Sequence, residues 1–360
     1  MEKIIIFGTG DIYKKTYNYL LGKDIKIMNL SDNDKAKWGK SIDNVSIIPP
    51  TDICNQEFDA IVICVGDIYY EEVYHQLCND LRIPVEKIRH WTYWMRKELL
   101  DFYHSRELCD DNAIKVIDNI EKNDKLGVFN YDFVELHSRA ECHFDDSCGM
   151  YYGLYQGKRL YLNRNYKTKR QAEHYIKYLN IEQDEKSPHR YLDENFTFDG
   201  GIVLDAGAAE GNFTLEIIEK AEKAILVEAD SDWNEALLKT FEPWKEKIII
   251  INKYLSDMDD SSHVSINSLT KEHNIKFVKM DIEGAEVDAL KGGNDFFNRV
   301  DCLKMVVCAY HNNDDEVKIR NILQPYSFVM QNTKGYMVFV DNLQQEPRLV
   351  HGILRAEISN

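Results

Sequence analysis

The sequence contains no apolar run that approaches the roughly 18 residues needed for a membrane-spanning helix. Its first residues, MEKIIIFGTGD, lack the long apolar core and the small-residue cleavage site of a signal peptide. The eight cysteines include no C-x-x-C pair, and the spacing of Cys142 and Cys148 around His143 is not a zinc signature. These absences predict a cytoplasmic protein with reduced thiols and no membrane span.

Positive charge is also scarce, because 44 Lys and Arg residues face 61 Asp and Glu residues, which leaves a net charge of −17. Proteins that bind nucleic acids usually present a basic face. The one basic cluster here, Lys158 to Arg170, is short and interspersed with tyrosines. We therefore expect no nucleic-acid partner. The 360 residues are enough for two or three domains, and they contain no internal repeat.

The stretch from Ile202 to Asp230 predicts the first βαβ unit of an open parallel sheet. An apolar run ends at Asp205, a turn of small residues follows, and a helical pattern begins near Phe213. A second apolar run then ends at Glu228. Parallel sheets bind their ligands outside the carboxyl ends of the strands, which is where both acids are expected.

The turn from Gly207 to Gly211 lacks the G-x-G-x-x-G spacing of dinucleotide folds, and the carboxylate of Glu210 would repel a phosphate there. It suits a ligand with a cationic amine. Glu228 follows Asp205 by 228 − 205 = 23 residues, near the ~20 expected for an acid that binds ribose hydroxyls. A nucleoside that carries an amino acid fits both features, which predicts S-adenosylmethionine as the cofactor. The alternative is an ordinary βαβ unit with surface acids.

Alternating strand and helix patterns predict an α/β fold with two Rossmann-like, doubly wound domains. Residues 1–90 form the first domain in this interpretation, and residues 91–195 form a connector with helices and a β-hairpin. Residues 196–360 form the second domain, whose parallel sheet ends in a reversed strand. We predict that Ser327–Gln331 and Tyr336–Val340 make the closing antiparallel hairpin.

The FGTGD turn of the first domain is only part of a dinucleotide fingerprint. Tyr13 occupies the third glycine position, where it would crowd helix against strand, and Asp11 lies where a phosphate would bind. Asp32 is placed to hold a ribose or sugar hydroxyl. The domain is therefore predicted either to bind a nucleotide or nucleotide sugar, or to be a degenerate, structural or dimerising domain, so a homodimer is one expectation.

Two later strand ends carry the candidate catalytic residues Asp281, Glu283 and His311. Asp281 could orient or deprotonate an acceptor hydroxyl, whereas Glu283 and Glu286 open a helix whose dipole favours carboxylates. His311 is a candidate general base, since an ordinary imidazole has a pKa near ~6.5, or a helix cap. The three candidates could also meet at a divalent cation. Their spacing does not require one, so we predict no metal.

The segments VLDAGAAEGNF, VEAD, KFVKMDIEGAE and CAYH resemble the FkbM family of S-adenosylmethionine-dependent methyltransferases, from about Ser187 to the end. The resemblance implies methyl transfer to oxygen, commonly on a sugar or polyketide-type hydroxyl, with S-adenosylhomocysteine as the product. It implies that Glu228 binds the ribose and that Asp257 lies near the adenine. The other cofactor-binding residues that it implies are Asp205, Gly207, Ala208, Glu210, Gly211, Asn212, Phe213, Ala229 and Asp281.

The first 90 residues are similar to the nucleotide-sugar-binding N-terminal domain of bacterial sugar acyltransferases, through FGTGD and the turn at Asp32. The two resemblances predict a methyltransferase that acts on a small-molecule or glycan acceptor, such as a nucleotide-linked sugar, in surface-polysaccharide or secondary metabolism. Two alternatives stay open: a nucleotide-sugar-modifying enzyme that uses the first domain, and a non-catalytic scaffold that senses the cofactor.

Overall fold

The computed structural model describes residues 1–108, 110–137, 139–339 and 348–359. The chain divides into two compact units, one with Met1–Asn130 and Val340–Arg348 and the other with Tyr131–Phe339 and Leu349–Asn360. The first unit thus extends beyond residue 90, where the sequence placed a boundary, and the connector expected at 91–195 is shared between both units. Among the described helices, none has both the length and the apolar character needed to cross a bilayer.

The first unit is an α/β unit around a six-stranded sheet. Its elements are β1 (Glu2–Phe7), α1 (Asp11–Leu20), β2 (Ile25–Ser31), β3 (Ser41–Ile42), β4 (Val45–Ile48), β5 (Ala60–Ile63), α2 (Asp67–His75), β6 (Ile88–His90), α3 (Tyr93–His104) and α4 (Asp111–Lys122). The strand order is β3-β4-β2-β1-β5-β6, and only the pair β3 and β4 is antiparallel. The predicted alternation of strands and helices is confirmed, whereas β3, β4 and β6 are too short for the sequence pattern to indicate.

The helices α3 and α4 belong to this unit because α3 bonds directly to the end of α4 and to the chain beyond it. The guanidinium of Arg96 donates hydrogen bonds to the carbonyls of Ile120 and Glu121, both over 2.8 Å. The N–H of Leu126 donates to the hydroxyl of Thr92 over 3.0 Å. These contacts join elements about 30 residues apart in sequence, which a local pattern cannot indicate.

In the first unit, residues of the predicted nucleotide-type turn form hydrogen bonds with other protein groups. Tyr13 is fully buried and donates a hydrogen bond to Asp43 over 2.8 Å, so the sheet accommodates the ring. The Oδ2 atom of Asp32 accepts hydrogen bonds from the backbone N–H and the hydroxyl of Thr9 and from the Nζ of Lys37. A ribose or sugar role for Asp32 stays a prediction, and it would require sharing of this oxygen or use of Oδ1.

The second unit contains a larger sheet and two groups of short strands. Its first elements are α5 (Phe133–Leu136), β7 (Cys142–Asp145), β8 (Met150–Tyr155), β9 (Lys158–Tyr161), α6 (Lys169–Glu182), β10 (Gly201–Ala206), α7 (Asn212–Ile217), β11 (Ala221–Val227), α8 (Asn234–Thr240), β12 (Ile248–Ile251), β13 (Tyr254–Leu255) and β14 (His263–Val264). They are followed by α9 (Ile266–Glu272), β15 (Ile275–Met280), α10 (Glu286–Lys291), α11 (Asn294–Phe297), β16 (Cys302–Cys308), α12 (Asp315–Leu323), β17 (Val329–Asn332), β18 (Met337–Val338), β19 (Leu349–Val350) and β20 (Ile353–Ser359).

The large sheet has the order β12-β11-β10-β15-β16-β20-β17, and its first five strands are parallel. Alternate residues of each strand enter separate buried clusters: Val203 and Phe277 pack on one face, and Leu204 and Val278 pack on the other. Burial on both faces explains why these strands are nearly continuous apolar runs in the sequence.

The reversed strand is present, but it is not the segment that the sequence predicted. β20 lies between β16 and β17 and runs antiparallel to both. The predicted strand Tyr336–Val340 contains only the short β18, which pairs with β19 in a separate sheet, and Val340 lies outside the described residues. Both segments contain apolar residues over the length of a strand, so only the pairing partner, which lies far away in sequence, distinguishes them.

A three-stranded antiparallel sheet, β7-β8-β9, packs against α6. The β-hairpin predicted within residues 91–195 is confirmed: Gln156 and Gly157 join β8 to β9 with φ values of 48° and 77°, the left-handed conformation that favours glycine. A capping box starts α6, in which the Thr168 hydroxyl and the Gln171 side chain exchange hydrogen bonds with each other's backbone N–H. The helix ends at Glu182.

Candidate active site

A cavity of about 480 Å³ opens at the carboxyl ends of the parallel strands of the second unit. Ligands of α/β sheets bind at this edge. The wall combines the small-residue turn after β10, acids at strand ends, and aromatic side chains from other elements. The residues that line it include Tyr175, Tyr178, Glu182, Tyr191, Gly207, Ala208, Glu210, Asn212, Glu228, Ala229, Trp233, Lys253, Tyr254, Leu255, Lys279, Asp281, Glu283 and Tyr310.

The turn after β10 approaches the end of β15 so closely at Gly207 that this position has no room for a side chain. Gly207 has a φ of +70°, and a Cβ at this position would lie 1.7 Å from the carbonyl oxygen of Asp281. Ala209 also has a left-handed φ, of 45°, and its N–H donates to the carboxylate of Glu228 over 2.9 Å. The close approach brings the turn and the end of β15 into one wall of the cavity.

Glu228, predicted to bind ribose, follows β11 and lines the cavity. Its Oε2 atom accepts the N–H of Ala209, and its Oε1 atom accepts the N–H of Asp230 over 2.8 Å. Each carboxylate oxygen has two lone pairs, so each keeps one for a ligand hydroxyl. The side chain thus holds the turn in place and still has the two acceptors that a ribose would use.

Asp205 does not line the cavity, although the resemblance placed it in the cofactor loop. It is fully buried in β10, where Oδ2 accepts a hydrogen bond from Thr214 over 2.7 Å and Oδ1 lies 3.3 Å from the Nζ of Lys279. Lys279 also donates to the carbonyl of Gly207 over 2.6 Å. The buried ion pair therefore stabilises the turn, and Asp205 has this role without contacting the cavity.

The sequence did not indicate a role for Lys279, because a lysine within an apolar strand gives no sign of whether its ammonium group is buried. In the structure, Lys279 is only 3% exposed. Burial alone would lower the pKa of Lys279, but the carboxylates of Asp205 and Asp281 raise it above its usual value. The ammonium group is therefore charged, and it balances buried negative charge.

Glu210 lies inside the turn as predicted, and it is 3% exposed. Burial raises the pKa of Glu210, and a hydrogen bond from the hydroxyl of Tyr175 partly offsets this effect. The ring centroids of Tyr166, Tyr175 and Trp233 lie 4.8 to 6.3 Å from one another beside it. An acid next to aromatic rings suits a cationic ligand group, in line with the amine that the sequence predicted.

Asp281 follows β15 and has contacts with three other side chains. The hydroxyl of Tyr191 donates to Oδ2 over 2.8 Å, His189 Nε2 lies 4.0 Å from Oδ2, and His311 Nε2 lies 3.6 Å from Oδ1. Loss of solvent alone would raise the pKa of Asp281. The Lys279 ammonium, the two imidazoles and the Tyr191 hydrogen bond together lower it to about 2. A carboxylate of this kind is a weak base, so it is better suited to orienting an acceptor than to deprotonating it.

His311 is 6% exposed and has three carboxylates around it. Nδ1 lies 3.0 Å from Glu286 Oε1, whereas Nε2 lies 3.6 Å from Asp281 Oδ1 and 3.7 Å from Glu283 Oε2. Burial alone would lower the pKa of His311, but these acids raise it to about 9. The imidazole is therefore protonated at neutral pH. A protonated ring has no free lone pair, which argues against the general-base role that its ordinary pKa suggested.

The arrangement of carboxylates around His311 also concerns the divalent cation that the sequence allowed. Asp281, Glu286 and His311 each offer one ligand atom within 4.8 Å of the others, a cluster that could hold a cation, and the protonated His311 ring itself balances the charge of the two carboxylates. Glu286 Oε1 also accepts the N–H of Ile282 over 3.0 Å, as expected of a residue that caps a helix start. The catalytic roles of Asp281, Glu283 and His311 stay predictions.

Besides Asp205, three residues that the resemblance placed at the cofactor do not line the cavity. Phe213 is buried, with its ring stacked on Phe277 at a centroid distance of 5.6 Å. A Cβ at Gly211 would lie 2.7 Å from the ring of Phe241, so this glycine serves close packing. Asp257 is exposed beyond β13, and Tyr254 and Leu255 line the cavity in its place.

Other lining residues come from α6 and from the segment after it, and the sequence assigned no site role to them. Tyr178 and Glu182 belong to the last turns of α6, and Tyr191 lies in the segment 187–192 that follows. The apolar spacing of α6 predicts a buried face, but it does not predict which sheet edge the helix end approaches. One signal was available: Glu182 ends the helix, where the helix dipole disfavours a carboxylate.

Comparisons with known proteins identify a family for the part of the chain that contains most of the cavity. A family model described as the methyltransferase FkbM domain matches residues 147–335, and a model described as C2185-like, N-terminal, matches residues 1–89. A search of curated proteins found no match. The sugar acyltransferase similarity of the first 90 residues is not among these matches and stays a prediction.

Solved structures of methyltransferases are similar to parts or most of the chain. Methyltransferase FkbM from Methylobacillus flagellatus KT is 15% identical, with a TM-score of 0.48, and the match covers 99% of this chain and 90% of that one. A putative RNA methyltransferase from Pyrococcus horikoshii is 16% identical over 54% of this chain and 85% of its own, with a TM-score of 0.31. An O-methyltransferase from Thermotoga maritima is 10% identical over 44% and 59%, with a TM-score of 0.29.

Proposed function

Because this chain belongs to the FkbM methyltransferase family, we propose that it binds S-adenosylmethionine in the cavity and methylates a hydroxyl of a sugar or glycan-type acceptor. One observation carries the proposal: the small-residue turn, Glu228 and Asp281 line the same cavity at the strand edge. A turn that a ligand can approach closely and an acid at the next strand end are the features that a nucleoside with an amino acid requires.

The charge of the cavity wall supports a cationic cofactor. Of its two lysines, Lys279 is paired with Asp205 and the turn, and Lys253 donates to the carbonyls of Asp260 and His263. The lining acids are therefore only partly balanced by protein cations. When bound, S-adenosylmethionine would supply an electrophilic methyl group on a positively charged sulfur.

Distinct residues fit distinct parts of the cofactor. Glu228 has acceptors for the ribose hydroxyls, and Glu210, beside its aromatic neighbours, is suited to the ammonium group of the methionine portion. Ala229, Tyr254 and Leu255 offer an apolar wall next to Glu228, which suits the adenine. These assignments place the methyl group toward Asp281 and the tyrosines near it.

The acceptor end of the cavity has hydrogen-bonding groups that suit a hydroxyl. Burial raises the pKa of Tyr191 and Tyr310 well above the usual value, so both phenols stay protonated. Tyr191 donates to Asp281, and the hydroxyl of Tyr310 lies 3.0 Å from His189 Nε2. Such neutral phenols and one ionised acid can orient a polar, uncharged acceptor and exclude water from it.

The experiment for this proposal is calorimetric titration of the full chain with S-adenosylhomocysteine, followed by a panel of nucleotide sugars. We expect micromolar binding of the first ligand. Absence of binding would favour the scaffold alternative over the enzyme. A separate binding event from a nucleotide sugar would support the ligand site predicted for the first unit.

Replacing Glu228 with alanine is expected to weaken S-adenosylhomocysteine binding by about 2–3 kcal/mol, or about 30- to 150-fold, because the hydrogen bonds that the ribose hydroxyls donate to a charged carboxylate are lost. Glu228→Gln should have a smaller effect, because it keeps one oxygen acceptor. Glu222→Ala, which removes an exposed acid from the same strand β11, is the control and should leave the affinity unchanged. Wild-type affinity in Glu228→Ala would contradict the ribose role.

A further inference from the structure

Glu182 is a carboxylate in the cavity that the function described so far does not use. It is the last residue of α6, it is partly exposed, and it lines the cavity together with Asp281 and Glu210. Among the residues that the structure describes, none makes a hydrogen bond or an ion pair with its carboxyl group. It is thus free to exchange a proton with a ligand or with solvent.

The charged groups that face Glu182 are mostly acids. The glycine turn contributes Glu210, and the end of β15 with the segment after it contributes Lys279, Asp281 and Glu283. The ammonium of Lys279 is held by Asp205 and by the carbonyl of Gly207. Carboxylates that share a poorly solvated space do not all ionise, and the one without a donor of its own keeps its proton most readily.

The direction of the titration agrees with this geometry. Burial, followed by the negative charges of Asp281 and Glu210, raises the pKa of Glu182 to about 8. Asp281, by contrast, has the Lys279 ammonium, His311 and the Tyr191 hydroxyl beside it, and these groups lower its pKa to about 2. The two acids of the acceptor end thus have opposite protonation states at neutral pH.

We propose that Glu182 gives up its proton when the positively charged cofactor enters the cavity, and that its ionised carboxylate then accepts the proton of the methyl acceptor. This inference rests on the proposed function. S-adenosylmethionine brings one net positive charge, whereas S-adenosylhomocysteine, with a neutral sulfur, brings none. Entry of the first ligand therefore favours the ionised form of a nearby acid.

The protons and electrons of the transfer balance with Glu182 in this role. The acceptor oxygen forms a bond to the methyl carbon, and the carbon–sulfur bond breaks with its electron pair left on sulfur. The hydroxyl proton passes to the Glu182 carboxylate, which returns to its neutral form as the positive charge disappears. The acids that line the cavity would repel a phosphate. The part of the acceptor that enters the cavity is therefore uncharged.

The test is the number of protons released on binding, measured by calorimetry of the full chain in two buffers of different ionisation enthalpy at about pH 7. We expect S-adenosylmethionine to release up to about one proton from the wild-type protein and S-adenosylhomocysteine to release clearly less. Glu182→Gln should lose most of the release with S-adenosylmethionine but still bind both ligands. Glu185→Gln, which removes an exposed acid just after the same helix, should behave as wild type.

Three results would overturn the inference and are distinguishable from failure of the proposed function. Equal release with the two ligands would break the link to positive charge. Undiminished release from Glu182→Gln would assign the proton to another group, such as Glu210. Loss of release in Glu185→Gln as well would indicate a general effect of charge. If neither ligand binds the wild-type protein, the proposed function fails and the inference fails with it.

Discussion

Replacing Lys279 with methionine is expected to lower the free energy of unfolding of the second unit by about 3–5 kcal/mol, because removal of one partner of a buried ion pair leaves the other uncompensated. Asp205 is fully buried, and the lysine Nζ lies 3.3 Å from its Oδ1 atom. The carbonyl of Gly207 would lose its donor as well. Urea unfolding followed by circular dichroism measures the change.

Lys276→Met is the matched control for this substitution, because Lys276 lies on the same strand β15 and is partly exposed. It should change the free energy of unfolding by no more than about 0.5 kcal/mol. Equal effects of the two substitutions would show that the ion pair contributes little. Because the chain has two units, unfolding can show two transitions. The loss of stability is expected in the transition of the second unit.

The second large effect concerns pH and His311. Its pKa is about 9 in the folded protein, against an ordinary value near ~6.5 for the unfolded chain. A group whose pKa is higher in the folded state contributes its full stabilisation below the unfolded pKa. That contribution is lost as the pH rises through the folded pKa. We expect His311 to account for a loss of about 3 kcal/mol between about pH 6 and pH 9.

The measurement compares the wild-type protein with His311→Gln at several pH values in this window. Glu182 and other groups titrate in both proteins, so the diagnostic quantity is the difference between the two pH dependences. The wild-type free energy of unfolding should fall more steeply than that of the variant. Parallel curves would mean that the acids around His311 do not hold its proton.

The local sequence pattern of the central βαβ unit predicts most of its secondary structure. The apolar runs of β10 and β11 are nearly continuous because both faces of these strands are buried, and the predicted βαβ unit from Ile202 to Asp230 contains β10, α7 and β11. The reversed strand shows the limit of this reasoning. Whether β18 or β20 joins the sheet depends on pairing with β16 and β17, which no local pattern contains.

The residues of the site also fall into two groups, those that the sequence could predict and those that it could not. Glu228 and Asp281 were predictable as cavity residues, because acids that follow neighbouring parallel strands meet at one edge of the sheet. Tyr191 and Glu182 were not, because they come from elements about 90–100 residues before Asp281 that reach the same edge only in the folded chain. Asp205 was placed on the correct strand, but its burial behind the turn depends on Lys279.

From its residues alone, the chain indicates a βαβ unit, a turn restricted to small residues, and a set of acids at strand ends, because each depends on neighbours within a few residues. Tertiary structure decides which acids of the cavity hold protons. Asp281 is ionised beside Tyr191 and His311, whereas Glu182 stays neutral at the same cavity. A pKa depends on burial and on charges a few ångströms away, and for these residues both come from distant parts of the chain.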